Sequence, residues 1–316
     1  MYAGSWPQNI GNAFFDLGAE AIIREVLSDV LITRTGGAVH WMFNNSSART
    51  RSFLGRGIRR VKPDFHLENG NSIEISSIGK FDLLVFAGMS MTTEFVRNNG
   101  RSLIDATRNG AAVLGLGAGA SSYSKNETKN FAEFFNSLEN SAIITRDMDT
   151  YENYAPYIKN ITSGIDSAFF LPEYFSPPQL VLDKFDVFVF DNIKQPRSLL
   201  ATKNTLYAHH DMWGPLPRRY TSKRNTLVSD VPEDYLSLYA NCRAVYSDRV
   251  HACVASLAYG NAAKLFTSSP RKALFKEVGA ETIGNQLVTL DQETFKRKKA
   301  SHLVNVSAVI NGLLGK

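Results

Sequence analysis

Short apolar runs alternate with helical patterns along the whole of this 316-residue chain. The runs predict strands over residues 30–33, 83–87, 111–114, 142–145, 187–190, 205–208, 226–228, 244–246 and 263–266. Apolar residues at helical spacing predict helices over residues 9–28, 93–108, 131–138, 232–241, 249–259, 270–278 and 304–314. Strands that alternate with helices in this way indicate parallel sheets built from βαβ units.

Three prolines, Pro172, Pro177 and Pro178, interrupt this alternation near the middle of the chain. Such interruptions mark linkers between domains, and a chain of this length suits two α/β domains of about 150 residues each. We therefore predict an N-terminal domain over residues 1–170 and a C-terminal domain over residues 171–316.

The composition, with 44% hydrophobic and 21% charged residues, is typical of a globular protein and excludes a disordered chain. A net charge of +5 favours small anionic ligands or membrane head groups but is too small for a nucleic-acid footprint. Two cysteines, Cys242 and Cys253, are too few for a disulfide scaffold. Residues 1–12 show no signal-peptide pattern. We expect a cytoplasmic protein. The basic stretch 295–299 is interpreted as a solvated helix face, with contact to the inner face of a membrane as the alternative.

Residues 247–251, Ser-Asp-Arg-Val-His, lie where a predicted strand ends and a predicted helix begins. In open α/β sheets, ligands bind at this end of the strands. We expect Ser247 or Asp248 to cap the helix, which leaves Arg249 and His251 in its first turn. An arginine beside free backbone N–H groups suits a phosphate or a carboxylate, and the helix dipole favours a neutral His251 that accepts a proton. The alternative interpretation is a helix cap with a packed histidine.

Gly115, Gly117 and Gly119 follow a predicted strand and permit a close approach of the backbone to an anion. Their spacing differs from the GxGxxG pattern of dinucleotide sites, so a tight turn between strand and helix is the alternative. Basic runs over residues 49–62 and 218–224 are either solvated loops or, beside a cleft, part of a pyrophosphate site.

Two further groups of reactive side chains are interpreted as structural. His209, His210 and Asp211 look like a metal cluster, but adjacent histidines on a strand point apart, so we predict a loop at a strand end and no metal site. Cys253 has no convincing base beside it, which predicts a buried thiol rather than a nucleophile.

The segment Ser-Asp-Arg-Val-His-Ala at residues 247–252 resembles the S-D-R-x-H-A signature of polysaccharide pyruvyl transferases. Other segments resemble motifs of this family in the same order: Asn9-Ile10-Gly11-Asn12, Gly115-Leu116-Gly117-Ala118-Gly119, Arg146-Asp147 and Gly164-Ile165-Asp166. The chain departs from the family pattern at Asn12, where an acid is usual. The resemblance spans roughly residues 9 to 260.

This resemblance implies an α/β, GT-B-like fold, in which two Rossmann-type domains with parallel sheets face a central cleft. Relatives transfer a pyruvyl or enolpyruvyl group from phosphoenolpyruvate to a sugar hydroxyl, often as a ketal. We expect neither a cofactor nor a metal, because a histidine that acts as acid or base beside an arginine can serve these steps. By resemblance, Arg249 holds the phosphate or carboxylate of the donor, and His251 acts as acid or base or stabilises the leaving phosphate. The implied substrate-binding residues are Asn9, Gly11, Asn12, Gly117, Gly119, Arg146 and Asp248.

Two other functions are consistent with the sequence. A GT-B glycosyltransferase that uses a nucleotide sugar would need an acid for the ribose, and Glu233 is the nearest candidate. A non-catalytic carbohydrate-binding relative would have kept the fold and lost turnover, but the presence of both Arg249 and His251 favours an enzyme. The implied partners are a small anionic donor and a carbohydrate or lipid-linked sugar acceptor.

Overall fold

The computed structural model describes residue 6 and residues 9–36, 75–210 and 225–315. The strands are β1 Leu83–Ala87, β2 Ala112–Ala118, β3 Ser141–Thr145, β4 Ile161–Thr162, β5 Asp186–Val189, β6 Thr205–Ala208, β7 Thr226–Leu227, β8 Ala244–Ser247 and β9 Ala262–Leu265. The α-helices are α1 Gly11–Val26, α2 Ile75–Ile78, α3 Thr93–Arg108, α4 Lys125–Asn136, α5 Met148–Tyr154, α6 Leu171–Tyr174, α7 Pro232–Asn241, α8 Val250–Ala258 and α9 Gln292–Leu314. Ser167–Phe170, Pro270–Val278 and Glu281–Gly284 are 3-10 helices.

The described strands form two sheets, and every pair of neighbouring strands is parallel. The first sheet has the order β1-β2-β3-β4, and the second has the order β7-β6-β5-β8-β9. In a parallel sheet all strands end at the same edge, so residues that follow different strands come together there. The predicted domain boundary at residue 170 falls between β4 and β5 and stays a prediction.

Side chains of the first sheet alternate between two hydrophobic cores, as the period of a strand requires. Val85 and Ala87 of β1 face the larger core, whereas Leu84 and Phe86 face a second core that lies under α3 and α4. The larger core is continuous, because it also contains residues of the second sheet such as Val187. Helix α1 lies within this core and packs against β1, α8 and α9, which explains why its apolar residues cover most of its circumference.

Helix ends follow the chemistry of their flanking residues. The side chain of Thr92 accepts a hydrogen bond of 3.2 Å from the backbone N–H of Phe95 and caps α3. This helix ends at Arg108 as predicted, and Gly110 adopts a φ of 92° just after it.

Helix α9 follows the second sheet along the chain and packs on the first sheet. It is longer than the predicted helix over residues 304–314, begins at the capping residue Asp291, and packs against β2 and β3 of the first sheet. Phe295, in the basic stretch proposed to touch a membrane, is buried against Phe169. No described helix is long and apolar enough to span a membrane.

Two predicted elements differ in the structure. Residues 30–33 form no strand: Val30 and Ile32 pack on the larger core, whereas Leu31 is 94% exposed, so the apolar run reflects packing and not a ladder of hydrogen bonds. The predicted α-helix over residues 270–278 is a 3-10 helix, capped by the side chain of Ser269.

Candidate functional site

A cavity of about 120 Å³ lies at the carboxyl edge of the second sheet. The chain runs from β5 through β6 to β7 on one side and then returns to β8 and β9 on the other, so β5 and β8 flank the switch point at which α/β sheets bind ligands. The residues that line the cavity are Asn9, Asn192, His210, Asp248, Arg249, Val250, His251, Thr267, Ser269 and Arg271.

The N-terminus of α8 opens into this cavity without a side-chain cap. The prediction that Ser247 or Asp248 caps the helix is wrong, because Arg249 occupies the cap position and its side chain makes no capping hydrogen bond. The Ser247 hydroxyl is hydrogen-bonded to the backbone, because it donates to the carbonyl of Val189 at 3.1 Å and accepts from the N–H of Arg249 at 2.8 Å. An uncapped helix start with Val250 and His251 at the cavity wall suits an anion.

Asp248 shapes the neighbouring loop. Its carboxylate accepts hydrogen bonds from the backbone N–H groups of Asp191, Asn192 and Ile193, at 3.2, 2.7 and 2.8 Å. These bonds hold the loop that follows β5 against the start of α8. Asp248 lines the cavity, but its oxygens are engaged by the protein, and the predicted contact with substrate stays a prediction.

Arg249 is held by Asp191, which follows β5. The Nε of Arg249 lies 2.8 Å from Oδ2 of Asp191, and Nδ1 of His209 lies 2.8 Å from Oδ1. Burial raises the pKa of the Asp191 carboxyl, but the hydrogen bond with His209 and the charge of Arg249 outweigh it and lower the pKa to about 2. A permanently ionised Asp191 therefore fixes the guanidinium of Arg249 at the cavity wall.

Two further arginines lie near Arg249. Arg271 follows β9 and lines the cavity mouth, and Arg146 follows β3 and is buried. Although Arg271 exposes much of its surface, desolvation of its guanidinium is the largest effect on its pKa and lowers it, and the charges of Arg146 and Arg249 lower it further. The guanidinium of Arg271 is thus repelled by those of Arg146 and Arg249, and a bound anion would relieve that repulsion.

His251 faces a buried carboxylate. Its Nε2 lies 3.6 Å from Oδ2 of Asp166, which also lies 3.9 Å from Nη1 of Arg146. Burial raises the pKa of Asp166, but contact with His251 and the charge of Arg146 outweigh it, and the net pKa is lowered. The ring of Phe15 packs edge-on against His251 at 5.3 Å between ring centroids. His251 is thus oriented by an ionised acid on one side and an aromatic ring on another.

The glycines predicted to bind substrate have three different surroundings. Gly11 lies between His210 and His251, where an added Cβ would be 2.9 Å from Nδ1 of His210. Gly117 has a φ of 68° at an irregularity of β2, where an added Cβ would be 2.9 Å from the hydroxyl of Ser167. Gly119 lies directly against the Arg146 guanidinium, so any side chain there would displace it.

The glycine stretch does not form the predicted turn into a helix. Gly115 and Gly117 belong to β2 itself, and α4 begins at Lys125 with Ser124 as its cap. The glycines instead leave space for Arg146 and for the residues next to Asp166. They therefore support the site through packing.

The predicted residues are only partly brought together. Asn9, Asp248, Arg249 and His251 line the cavity, and Gly11 supports it from the first turn of α1. Asn12 is half-buried in that turn, whereas Gly117, Gly119 and Arg146 are not part of the cavity lining and lie at the carboxyl edge of the first sheet. Whether these residues bind substrate stays a prediction.

Three residues of the site, Asp166, Asp191 and Arg271, had no role predicted from the sequence. Asp191 and Arg271 follow β5 and β9, so the strand-end rule that found Arg249 would have found them too. Asp166 lies in a segment with no strong local signal beyond its place in the family motif, and only the fold brings it to His251.

The histidines predicted not to form a metal site lie at the end of β6. His209 and His210 point apart as expected, one to Asp191 and the other to the hydroxyl of Tyr239. Asp211 and the basic runs at 49–62 and 218–224 lie outside the described residues. In the part of the chain that is described, no group of three or more potential metal ligands lies together. The absence of a metal in the reaction stays a prediction.

Both cysteines are buried free thiols, as predicted for Cys253. Burial raises the pKa of the Cys242 thiol to about 12 and that of the Cys253 thiol further still. Neither thiol is therefore a nucleophile at neutral pH.

Comparison with solved structures places the fold among GT-B-type proteins. A putative UDP-N-acetylglucosamine 2-epimerase from Listeria monocytogenes superposes with a TM-score of 0.53 at 10% identity, over 99% of this chain and 89% of that chain. MnaA of S. aureus, solved with UDP, superposes with a TM-score of 0.51 at 10% identity, over 94% of this chain and 87% of that chain. These similarities confirm the predicted fold class.

The sequence itself identifies the family. No curated protein sequence matches the chain. A family model described as polysaccharide pyruvyl transferase matches residues 9–260, which include every segment of the site up to the end of α8. Because the match covers most of the chain, this protein belongs to the polysaccharide pyruvyl transferase family and is a transferase.

Proposed function

We propose that this protein transfers the pyruvyl group of phosphoenolpyruvate to hydroxyl groups of a sugar and forms a pyruvate ketal. The observation that carries the proposal is the convergence of Arg249, Arg271 and the uncapped N-terminus of α8 on one small cavity. Phosphoenolpyruvate carries a phosphate and a carboxylate on three carbons, and guanidinium groups with free backbone N–H groups are the partners such an anion needs.

The acids near the cavity favour this donor over a nucleotide sugar, which would need an acid for its ribose. Among the described residues that line the cavity, Asp248 is the acid, and three backbone N–H groups occupy its carboxylate. Glu233, the acid considered for a ribose, does not line the cavity.

The proposed reaction balances with the groups at hand. A proton adds to the methylene carbon of phosphoenolpyruvate, and a sugar hydroxyl attacks the adjacent carbon and loses its proton. The bond from that carbon to the phosphate oxygen then breaks, phosphate leaves with the electron pair, and a second hydroxyl closes the ketal. One hydroxyl proton ends on the new methyl group, and the other ends on phosphate.

His251 is the residue that moves protons in this scheme, because its imidazole reaches the cavity and is oriented by Asp166. Arg249 and Arg271 stabilise the charge that develops on the departing phosphate. The acceptor is a carbohydrate or a lipid-linked sugar, and the reaction takes place in the cytoplasm or at the inner face of the membrane. No nucleic acid takes part.

A ligand-stabilisation experiment tests the donor. Phosphoenolpyruvate should raise the melting temperature by binding the native state, and UDP-sugars should not. The His251→Ala variant should keep most of the shift, whereas Arg249→Ala should lose it. A shift with a UDP-sugar and none with phosphoenolpyruvate would transfer the assignment to a glycosyltransferase.

Turnover separates the enzyme from a non-catalytic relative. With phosphoenolpyruvate and a panel of sugar acceptors, the wild-type protein should release inorganic phosphate, and His251→Ala should not. Binding of phosphoenolpyruvate without phosphate release on any acceptor of the panel would favour a carbohydrate-binding relative.

A further inference from the structure

His210 is a buried histidine that lines the cavity and has one ring nitrogen without a hydrogen-bond partner among the described residues. It follows β6, is 1% exposed and lines the cavity beside His251. Its Nε2 lies 2.5 Å from the hydroxyl of Tyr239. Its Nδ1 makes no hydrogen bond within the described part of the chain, although buried polar atoms are almost always paired.

A glycine, Gly11, lies next to this nitrogen. A Cβ on Gly11 would lie 2.9 Å from Nδ1 of His210, 3.2 Å from Oδ1 of Asn9 and 3.4 Å from Cβ of His251. The backbone holds this arrangement, because the N–H of Ile10 donates to the carbonyl of His210 at 3.0 Å. A residue larger than glycine at position 11 would fill the approach to Nδ1.

The surroundings of His210 keep it neutral. Burial is the main cause that lowers its pKa to about 3, and the charges of Arg249 and His251 lower it further, against the opposing effect of Asp191. Burial also raises the pKa of Tyr239 well above its ordinary value, so that hydroxyl keeps its proton. A neutral imidazole carries its proton on one nitrogen, and the partner of the other nitrogen decides which one.

We propose that Nδ1 of His210 donates a neutral hydrogen bond to the anion bound in the cavity, and that the hydroxyl of Tyr239 fixes the required tautomer by donating to Nε2. The identity of the anion as phosphoenolpyruvate rests on the proposed function, but the presence of an N–H on Nδ1 does not. A neutral His210 thus adds a directional hydrogen bond without adding another positive charge to a site that already contains Arg249 and Arg271.

Nuclear magnetic resonance on the full chain tests the tautomer without any substitution. Protein labelled with ¹⁵N-histidine is titrated with phosphoenolpyruvate and, separately, with inorganic phosphate, and the ring nitrogens are followed through long-range proton–nitrogen correlations. The His210→Asn variant identifies the His210 signals. In the bound state, Nδ1 of His210 should be protonated and Nε2 unprotonated, with no change between about pH 6 and pH 8. An unprotonated Nδ1 in the saturated protein would overturn the proposal.

Matched variants test the contribution to binding. His210→Asn keeps an N–H donor near the position of Nδ1 and should bind phosphoenolpyruvate within about threefold of wild type, whereas His210→Phe should bind about tenfold more weakly. Tyr239→Phe should weaken binding because the tautomer is no longer fixed. Tyr235→Phe is the control, since its ring also packs on His210 but its hydroxyl bonds to the carbonyl of His209.

The two proposals fail in different ways. If wild-type protein binds phosphoenolpyruvate and His210→Phe binds it equally well, the role of His210 is refuted and the proposed function stands. If wild-type protein binds inorganic phosphate with a protonated Nδ1 but does not bind phosphoenolpyruvate, the proposed donor is refuted and the role of His210 stands.

Discussion

His251 and Asp166 lie 3.6 Å apart, measured from Nε2 to Oδ2, although one begins a helix beside the second sheet and the other follows the first sheet. The pair therefore joins the two halves of the chain across the cleft. The position of the imidazole depends on both sheets, so changes in either half should affect catalysis.

Replacement of Asp166 tests this dependence. Asp166→Asn removes the charge that orients His251 and should lower kcat by about a hundredfold, within the range for acid–base groups. Affinity for phosphoenolpyruvate should change by less than about threefold, because the arginines remain. Asp149→Asn is the control, since Asp149 pairs with Lys276 on the surface. An unchanged kcat for Asp166→Asn would show that the carboxylate is not needed.

The geometry of Arg249 should matter as much as its charge. Arg249→Lys cannot keep the planar guanidinium between Asp191 and the cavity, so kcat/KM should fall by at least about tenfold. Arg243→Lys is a matched control, because Arg243 also bonds an aspartate, Asp186, but lies on the exposed side of the sheet. Equal kcat/KM values for the two variants would contradict the assignment.

Gly119→Ala should affect activity more than stability. The new methyl group would meet the Arg146 guanidinium, which is the mobile end of a long side chain and can move aside. Displacement of Arg146 from Asp166 should lower kcat/KM by about a hundredfold, with a loss of stability below about 1.5 kcal/mol. Gly312→Ala, in α9 with nothing within 4 Å of its added Cβ, should keep full activity. A stable Gly119→Ala variant with normal kcat/KM would exclude a role for Arg146.

Two buried histidines should make the protein less stable in mild acid. Burial lowers the pKa of His210 to about 3 and that of His302 to about 4, from 6.5. Below pH 6.5 the unfolded chain binds protons that the folded chain does not, so the free energy of unfolding falls as pH falls toward 4. Each histidine should contribute about 2 kcal/mol of this loss by about pH 4.5.

Urea unfolding between about pH 7 and pH 4.5 measures this effect. His302→Phe should have a shallower pH dependence than wild type, whatever its absolute stability. A free energy of unfolding that stays constant over this range would mean that both histidines titrate normally.

The reaction should not require a metal. Arginine side chains are available to neutralise the phosphate, and the described residues contain no cluster of three metal ligands. Phosphate release should therefore be unchanged after treatment with a chelator. Activity that is lost with the chelator and restored by magnesium or manganese would contradict this prediction.

The sequence predicted the part of the site that depends on local order. Arg249 and His251 were found because a strand, a turn and a helix follow one another within a few residues, and this order places them at a sheet edge. The fold class followed from the same alternation. In the structure β5 pairs in parallel with β8, as this alternation of strands and helices predicts.

The rest of the site depends on contacts between distant segments. Asp166 meets His251 only because α1, the 3-10 helix at 167–170 and α8 pack together. The cap was mispredicted for a similar reason: the Asp248 carboxylate bonds a loop that lies far away in sequence instead of its own helix. The strand over residues 30–33 was wrongly predicted, because an apolar run indicates burial but not the presence of a neighbouring strand.

The packing of α9 on the first sheet has a consequence for synthesis. Ribosomes add about 5–20 residues each second, so β2 and β3 leave the ribosome many seconds before residues 292–314 are made. During that time the sheet lacks the helix that covers it, and Ile165 lacks the His302 nitrogen that accepts its backbone N–H in the folded chain. The nascent chain therefore presents an apolar surface that a chaperone can hold until α9 has been translated.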